Sequence, residues 1–200
     1  MSYYEEGNNF LKSIGRFFLD FIETIVIALV IFVIVYKFLM QPHQVKGDSM
    51  LDNFYNGEYV LTNKIGYEFN DPEVGDVVIF EAPKNADYDY IKRIVGVPGD
   101  SIMIKRGKVY INNQLFDESG YLDNTIYTRT GRYLPEGEEI IVPNDSYFVI
   151  GDNRDHSSDS REWGFVPIEN IVGKAWIRYW PLNKIGVIEK YPKLTTSQGI

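Results

Sequence analysis

A serine hydroxyl attacks a carbonyl only when a base stands beside it, and this chain offers few bases. Its 200 residues contain no Cys and two His, His43 and His156. Ser49 lies in Val45-Lys46-Gly47-Asp48-Ser49-Met50, just after a long apolar stretch. His43 comes shortly before it. His156 falls inside a compositionally unusual block, Gly151-Asp152-Asn153-Arg154-Asp155-His156-Ser157-Ser158-Asp159-Ser160-Arg161-Glu162-Trp163-Gly164. A Ser–His–Asp arrangement using His156 and a neighbouring Asp is one way to activate a serine. Lys92, in Tyr90-Ile91-Lys92-Arg93-Ile94-Val95-Gly96-Val97-Pro98-Gly99-Asp100, is another. If Tyr90–Val95 is a strand, Tyr90, Lys92 and Ile94 share a face, and Lys92 has apolar neighbours on both sides. A lysine with an aqueous pKa of about 10.4 is neutral only ~1 time in 2,500 at pH 7. Bringing it into the range of a useful base takes roughly 4 kcal/mol of destabilisation of the ammonium form. An apolar strand face covered by membrane or substrate can supply this. By residue type alone, a surface lysine beside Arg93 with its head in water is the commoner outcome.

These residues need elements to position them. Phe17–Met40 is apolar apart from Asp20, Glu23 and Lys37, and its centre, Ile25–Tyr36, carries no charge. As a helix it would span about 36 Å, enough for a bilayer core of roughly 30 Å. No small-x-small cleavage pattern follows Tyr36, so an uncleaved anchor is favoured over a removed signal peptide. Lys12 and Arg16 precede it, and Lys37 and Lys46 follow it. Flanking charge therefore leaves the orientation open. Lys12–Met40 reads as helix and Met1–Asn9 as a polar, mobile start.

From His43 onward, short apolar runs alternate with Gly, Asn, Asp and Pro, the pattern of an all-β domain. Expected strands are Glu58–Asn63, Asp76–Glu81, Tyr90–Val95, Ser101–Lys105, Lys108–Ile111, Glu139–Val142, Tyr147–Gly151 and Gly173–Tyr179. Arg106-Gly107 and Asn112-Asn113 are expected turns. The net charge of −8 argues against a general nucleic-acid binder. The absence of Cys and the scarcity of His exclude thiolate and imidazole-rich metal sites, so neither metal nor cofactor is expected.

Taken together, the Ser49, Lys92 and Asp152 blocks resemble the three signature boxes of type I signal peptidases, membrane-anchored serine proteases with a Ser–Lys dyad. The resemblance runs from about Phe17 to Pro181. It implies Ser49 as nucleophile, Lys92 as general base and Ser157 as the hydroxyl that hydrogen-bonds the lysine. Asp152, Asn153, Asp159 and Arg161 match the positions that brace the loop. The Ser49 N–H is implied as an oxyanion donor. Some members add a serine hydroxyl two residues before the nucleophile, where this chain has Gly47, so backbone groups alone are expected to complete the hole. The usual Pro-Thr pair after the Met is replaced by Leu51-Asp52-Asn53-Phe54.

The implied substrates are secretory precursors with small residues at the first and third positions before the cut. Met50, Gly47, Tyr90 and Ile91 are the expected substrate-contacting residues. The implied fold is mostly β: an antiparallel β-sheet catalytic core with an inserted β subdomain, behind one N-terminal transmembrane helix. The expected division is a cytoplasmic segment 1–16, an anchor 17–40 in the cell membrane, and an outer-facing peptidase domain 41–183. Residues 105–143 form the expected insertion and 184–200 the tail. Partners are then the precursors and the lipid bilayer. The self-cleaving Ser–Lys repressors lack an anchor, and the Gly-Asp-Ser hydrolases need helix–strand alternation. A silent, anchored peptide-binding β-domain would need none of Ser49, Lys92 and Ser157.

Overall fold

The computed structural model describes residues 2–83 and 87–191, with side chains from residue 15 on. The chain divides into a helical unit, Met1–Met40, and a β unit, Gln41–Ile200.

The helical unit is α1 (Ser2–Ile34), which closes in a π-helical turn, Val35–Leu39. Gly15–Leu39 is long and apolar enough to cross a membrane, and within the molecule it is 0% buried. Phe17, Leu19, Ile22, Val26, Leu29 and Phe32 are all exposed. Such a surface fits lipid, where outward apolar side chains carry no cost. The helix starts earlier than the sequence predicts, at Ser2. Once nucleated, a helix extends cheaply, and no proline interrupts it before Pro42. Met40 is already extended, with φ −144°, and Pro42 bars a further helical turn.

The β unit holds two sheets. The first strands of the larger sheet are β1 (Met40–Gln44), β2 (Tyr59–Asn63), β3 (Val77–Glu81) and β4 (Asp89–Gly96). The second sheet follows as β5 (Ser101–Lys105), β6 (Lys108–Ile111), β7 (Gln114–Leu115) and β8 (Glu139–Ile141). The chain then returns to the larger sheet with β9 (Ser146–Ile150), β10 (Val166–Pro167), β11 (Ile171–Trp180) and β12 (Gly186–Val187). The strand orders are β1-β2-β11-β3-β4-β9-β10, with β12 on β11, and β7-β6-β5-β8. Two four-residue helices, α2 (Gly66–Phe69) and α3 (Ser160–Trp163), sit in connections.

Arg106 and Gly107, and Asn112 and Asn113, all have positive φ. This is the conformation that tight two-residue hairpins require, and both turns fall where the sequence predicts. The second sheet begins earlier than residue 105, because β5 pairs with both β6 and β8. β1 is absent from the sequence reading because Pro42 interrupts it. As an edge strand it can lack that one donor. Residues 184–188 pack on the β unit. β12 pairs with β11, Ile188 packs on the core and Lys184 reaches Glu58 at 3.0 Å. Residues 192–200 lie outside the described residues.

One apolar cluster, Val95, Ile102, Ile104, Val109, Leu134, Val142, Phe148 and Ile150, joins the two sheets. Gly96 sits where a Cβ would meet the Ile102 side chain, so the close approach of β4 to β5 needs glycine there. A second cluster, Val45, Met50, Phe54, Val60, Val77, Ile79, Ile91 and Ala175, lies under β1 and the turn after it. β4 is buried on both faces from Ile91 to Gly96. That burial decides the environment of its two charged residues, Lys92 and Arg93.

Candidate active site

Alternation along β4 sends Lys92 and Arg93 to opposite faces. Lys92 is 4% exposed. Its Nζ donates to Ser49 Oγ at 2.8 Å and to the Ile91 carbonyl at 2.9 Å, and lies 5.2 Å from the centre of the Tyr90 ring. An ammonium has three protons, and these are its two hydrogen-bond acceptors among the described residues. Burial lowers its pKa from 10.5 to about 8, against Asp159 and Asp152, which raise it; Arg161 adds to the lowering. At a pKa of about 8, roughly a tenth of the lysine is neutral at pH 7. The unfolded chain holds this proton up to about pH 10.5, whereas the folded chain releases it from about pH 8. Between those values this group makes the fold more stable as pH rises.

Ser49 is presented by the bend after β1. The Asp48 carbonyl accepts from Leu51 N–H at 3.2 Å and Asn153 Nδ2 at 2.9 Å. The Ser49 carbonyl accepts from Asn153 N–H at 3.0 Å. A planar trans peptide points its N–H opposite its carbonyl, so these bonds turn the Ser49 N–H away from the Asn153 loop. Gly47 has φ +83°, and a Cβ built there would meet nothing within 4 Å. Gly47→Ala is therefore expected to fold and to lose about 1–2 kcal/mol through backbone strain alone, measured by denaturant unfolding.

The Asp152 block wraps both groups. Asp152 is fully buried and takes two bonds from Arg93, Nε to Oδ1 at 2.9 Å and Nη2 to Oδ2 at 2.8 Å. Asp159 caps α3, accepting from Arg161 N–H at 3.3 Å, and is forked by the Arg161 guanidinium at 2.7 and 2.8 Å. It also accepts from Gly151 N–H at 3.0 Å. A Cβ on Gly151 would overlap Ser157 Oγ and the Ser49 carbonyl, so the loop can approach Ser49 only through a glycine.

The expected bond between Ser157 and Lys92 is not made. Ser157 Oγ is buried and has no hydrogen-bond partner among the described residues, and the Ile91 carbonyl accepts from Lys92. His156 is exposed; the side-chain amine that bonds Ser49 Oγ is that of Lys92.

A cleft of about 230 Å³ opens beside the pair, lined by His43, Gln44, Val45, Lys46, Ser49, Val60, Ile79, Asp89, Tyr90, Ile91, Lys92 and Ser158. Of the expected substrate-contacting residues, Tyr90 and Ile91 line it. Met50 does not: it is 1% exposed, belongs to the core cluster, and its Sδ accepts from Asp152 N–H at 3.4 Å. The flexible thioether fills core space instead. Gly47 is not a lining residue either; its N–H bonds Asn56 Oδ1 at 3.0 Å.

Sequence reasoning missed three residues. Arg93 is 3% exposed; burial works to lower its pKa and Asp152 outweighs this, so the net shift is upward. Alternation puts it on the face opposite Lys92 but does not show that this face is covered. Asn53 Nδ2 donates to Asp152 Oδ2 and to the Tyr121 carbonyl, both at 2.9 Å, so the turn that replaces Pro-Thr is pinned by a side-chain amide. Arg154 is 3% exposed and held by Glu118 and Thr128. No local pattern marks those two partners.

The sequence model of the family described as signal peptidase, peptidase S26, matches residues 18–180. The chain is 38% identical over 177 residues to signal peptidase IB of Staphylococcus aureus (strain Mu50), covering 83% of this chain and 91% of that one. It is 34% identical over 171 residues to a probable signal peptidase I-2 of Synechocystis, covering 83% and 75%. A crystal structure of a signal peptidase I from Enterococcus faecalis matches with TM-score 0.43 at 27% identity, covering 52% of this chain and 97% of that one. By the extent of the family match and the identity to these relatives, the chain belongs to the signal peptidase I family of serine proteases, enzymes of signal-peptide removal.

Proposed function

We propose that this enzyme removes N-terminal signal peptides with Ser49 as nucleophile and Lys92 as general base, cutting after small residues in sites of the Ala-x-Ala type. The single observation that carries this reading is the 2.8 Å contact between a buried lysine amine and a serine hydroxyl at the edge of a cleft. Neutral Lys92 accepts the Ser49 proton as Oγ attacks the scissile carbonyl carbon. The tetrahedral oxyanion takes a hydrogen bond from the Ser49 N–H. Lys92 returns the proton to the leaving amine, and an ester remains on Ser49. Water, deprotonated by Lys92, hydrolyses that ester and restores the serine.

Asp152, Asn153, Asp159 and Arg161 hold the peptide and loop around the pair. Residues 1–16 lie on the cytoplasmic side in this proposal, 17–40 cross the cell membrane, and the β unit faces outward, where precursors emerge.

The test is a precursor with an Ala-x-Ala site incubated with the detergent-solubilised full chain. One cut after the second Ala is expected. The rate should rise with pH through a limb centred near 8, because the base must be neutral and its pKa is lowered to about 8. A limb near the ordinary lysine value would show that Lys92 is not desolvated during catalysis. No cut at the site would refute the peptidase reading.

A further inference from the structure

The connection between β7 and β8, residues 116–138, reaches back from the second sheet to the segments that hold Ser49. Its Tyr121 sits in a turn where the Tyr121 and Leu122 N–H groups both donate to the Glu118 carbonyl, at 3.1 and 2.9 Å. Three parts of this tyrosine meet three different groups around the Ser49 turn. The ring face covers the Arg93 guanidinium, whose carbon lies 4.1 Å from the ring centre, and a cation is attracted to that face. The same guanidinium forks Asp152. The Tyr121 carbonyl accepts from Asn53 Nδ2 at 2.9 Å, and that amide nitrogen also donates to Asp152 at 2.9 Å. The hydroxyl donates to Glu118 Oε1 at 2.7 Å and accepts from Arg154 Nη2 at 3.1 Å. Arg154 in turn donates through Nε to the Gly151 carbonyl at 3.1 Å. Burial raises the Tyr121 pKa well above its ordinary 10, so the hydroxyl keeps its proton at working pH.

We propose that Tyr121 is a positioning residue, which sets the place of Ser49 relative to Lys92 from outside the cleft. This rests on the Ser49–Lys92 reading above. Two chains of contacts run from Tyr121 to Ser49. Asn53 belongs to the turn that follows Ser49, where the Asn53 and Phe54 N–H groups both donate to the Met50 carbonyl, at 3.0 and 2.9 Å. Gly151, held through Arg154, packs so closely that a Cβ there would overlap the Ser49 carbonyl, and Asn153 N–H bonds that carbonyl at 3.0 Å. Lys92 has no share in either chain. Its acceptors among the described residues are Ser49 Oγ and the Ile91 carbonyl on its own strand. A shift at Tyr121 therefore moves Ser49 and leaves Lys92 in place. A displacement of about 1 Å between reacting groups costs up to roughly a hundredfold in rate. The residues that line the cleft do not include Tyr121, Asn53 or Arg154, so the loss falls on the chemical step and not on binding.

Single-turnover cleavage of an Ala-x-Ala precursor by the full chain in detergent, over a range of enzyme concentrations, tests this. It separates the rate constant at saturation from the half-saturating concentration. Tyr121→Leu keeps the carbonyl but removes the ring face and the hydroxyl. It should lower the saturating rate constant about tenfold and leave half-saturation unchanged. Tyr121→Phe, which loses only the hydroxyl, should lower it about threefold. A residue that merely stabilises the fold gives the reverse: a partly unfolded preparation needs more enzyme to saturate but reaches the wild-type rate constant. That reverse pattern, or a wild-type rate constant at unchanged half-saturation in Tyr121→Leu, would overturn the proposal and leave the peptidase reading standing. Tyr127→Leu is the control, on the same connection and 57% exposed. It should keep the wild-type rate constant; an equal loss there would mean that any loosening of the connection has this effect, and Tyr121 would lose its assigned role. The rising pH limb should stay centred near 8 in both Tyr121 variants, because Lys92 remains buried. A limb moved toward the ordinary lysine value would mean that Tyr121 keeps water from Lys92 rather than placing Ser49, and would also overturn the proposal. If Tyr121→Leu does not fold, Tyr121→Phe decides on the same readings. Failure of the wild-type chain to cut the precursor would refute the peptidase reading and this one with it.

Discussion

Lys92→Arg is expected to lose at least 10²–10⁴-fold in kcat, the usual worth of a positioned general base, with the fold intact. Guanidinium stays protonated at any working pH, so it keeps the charge and the reach but cannot accept the Ser49 proton. Ser49→Ala should be at least as damaging, because it removes the atom that forms the ester in the proposed reaction. The two losses should not add in the double variant, since in the proposed mechanism each group works only through the other. His156→Ala, at an exposed position, separates this mechanism from a Ser–His one. It should retain activity, whereas loss there with retention in Lys92→Arg would reverse the assignment. Single-turnover cleavage of a precursor measures all four. Circular dichroism of the same preparations shows whether the fold survives.

The second large effect is on stability. Arg93 and Asp152 are 3% and 0% exposed along their side chains and share two hydrogen bonds. Removing one partner leaves a buried, unpaired charge, which costs about 3–5 kcal/mol. Arg93→Ala should cost that much and also strip the cation from beneath the Tyr121 ring, whose centre lies 4.1 Å from the guanidinium carbon. Asp152→Ala should cost a similar amount and release Asn53, whose amide donates to the same carboxylate. The turn after Ser49 would loosen with it. Arg93→Met with Asp152→Leu should be less destabilising than either Ala variant, because no charge is left unmet. Denaturant unfolding of the full chain in detergent gives the three values. A double variant worse than both singles would mean that the pair contributes more than mutual neutralisation.

Local physics makes much of this protein readable in one dimension. The long apolar run before Pro42, the period-two alternation of β4, and the turns at Arg106-Gly107 and Asn112-Asn113 each depend on near neighbours in sequence. They appear in the structure within a few residues of where the sequence puts them. The pairing of Ser49 with Lys92 could be proposed from the residues and from the family resemblance, because desolvation of a lysine on an apolar strand face is itself a local consequence of alternation.

Other features depend on which distant segments meet, and alternation is silent about that. The family resemblance puts Ser157 beside Lys92, but the path of the loop leaves its hydroxyl without a hydrogen-bond partner among the described residues, and Lys92 donates to the Ile91 carbonyl. Met50, next to Ser49 in sequence, turns inward and packs in the core cluster beneath β1. Arg93 resembles a surface cation until β4 is covered on its second face and Asp152 arrives from far along the chain. His43 and Asp89 share no motif and lie on strands that do not pair, yet the fold brings them 3.1 Å apart at the cleft. Sequence periodicity determines which face a side chain occupies; the packing of remote segments against that face decides whether it meets solvent, an ion partner or the substrate.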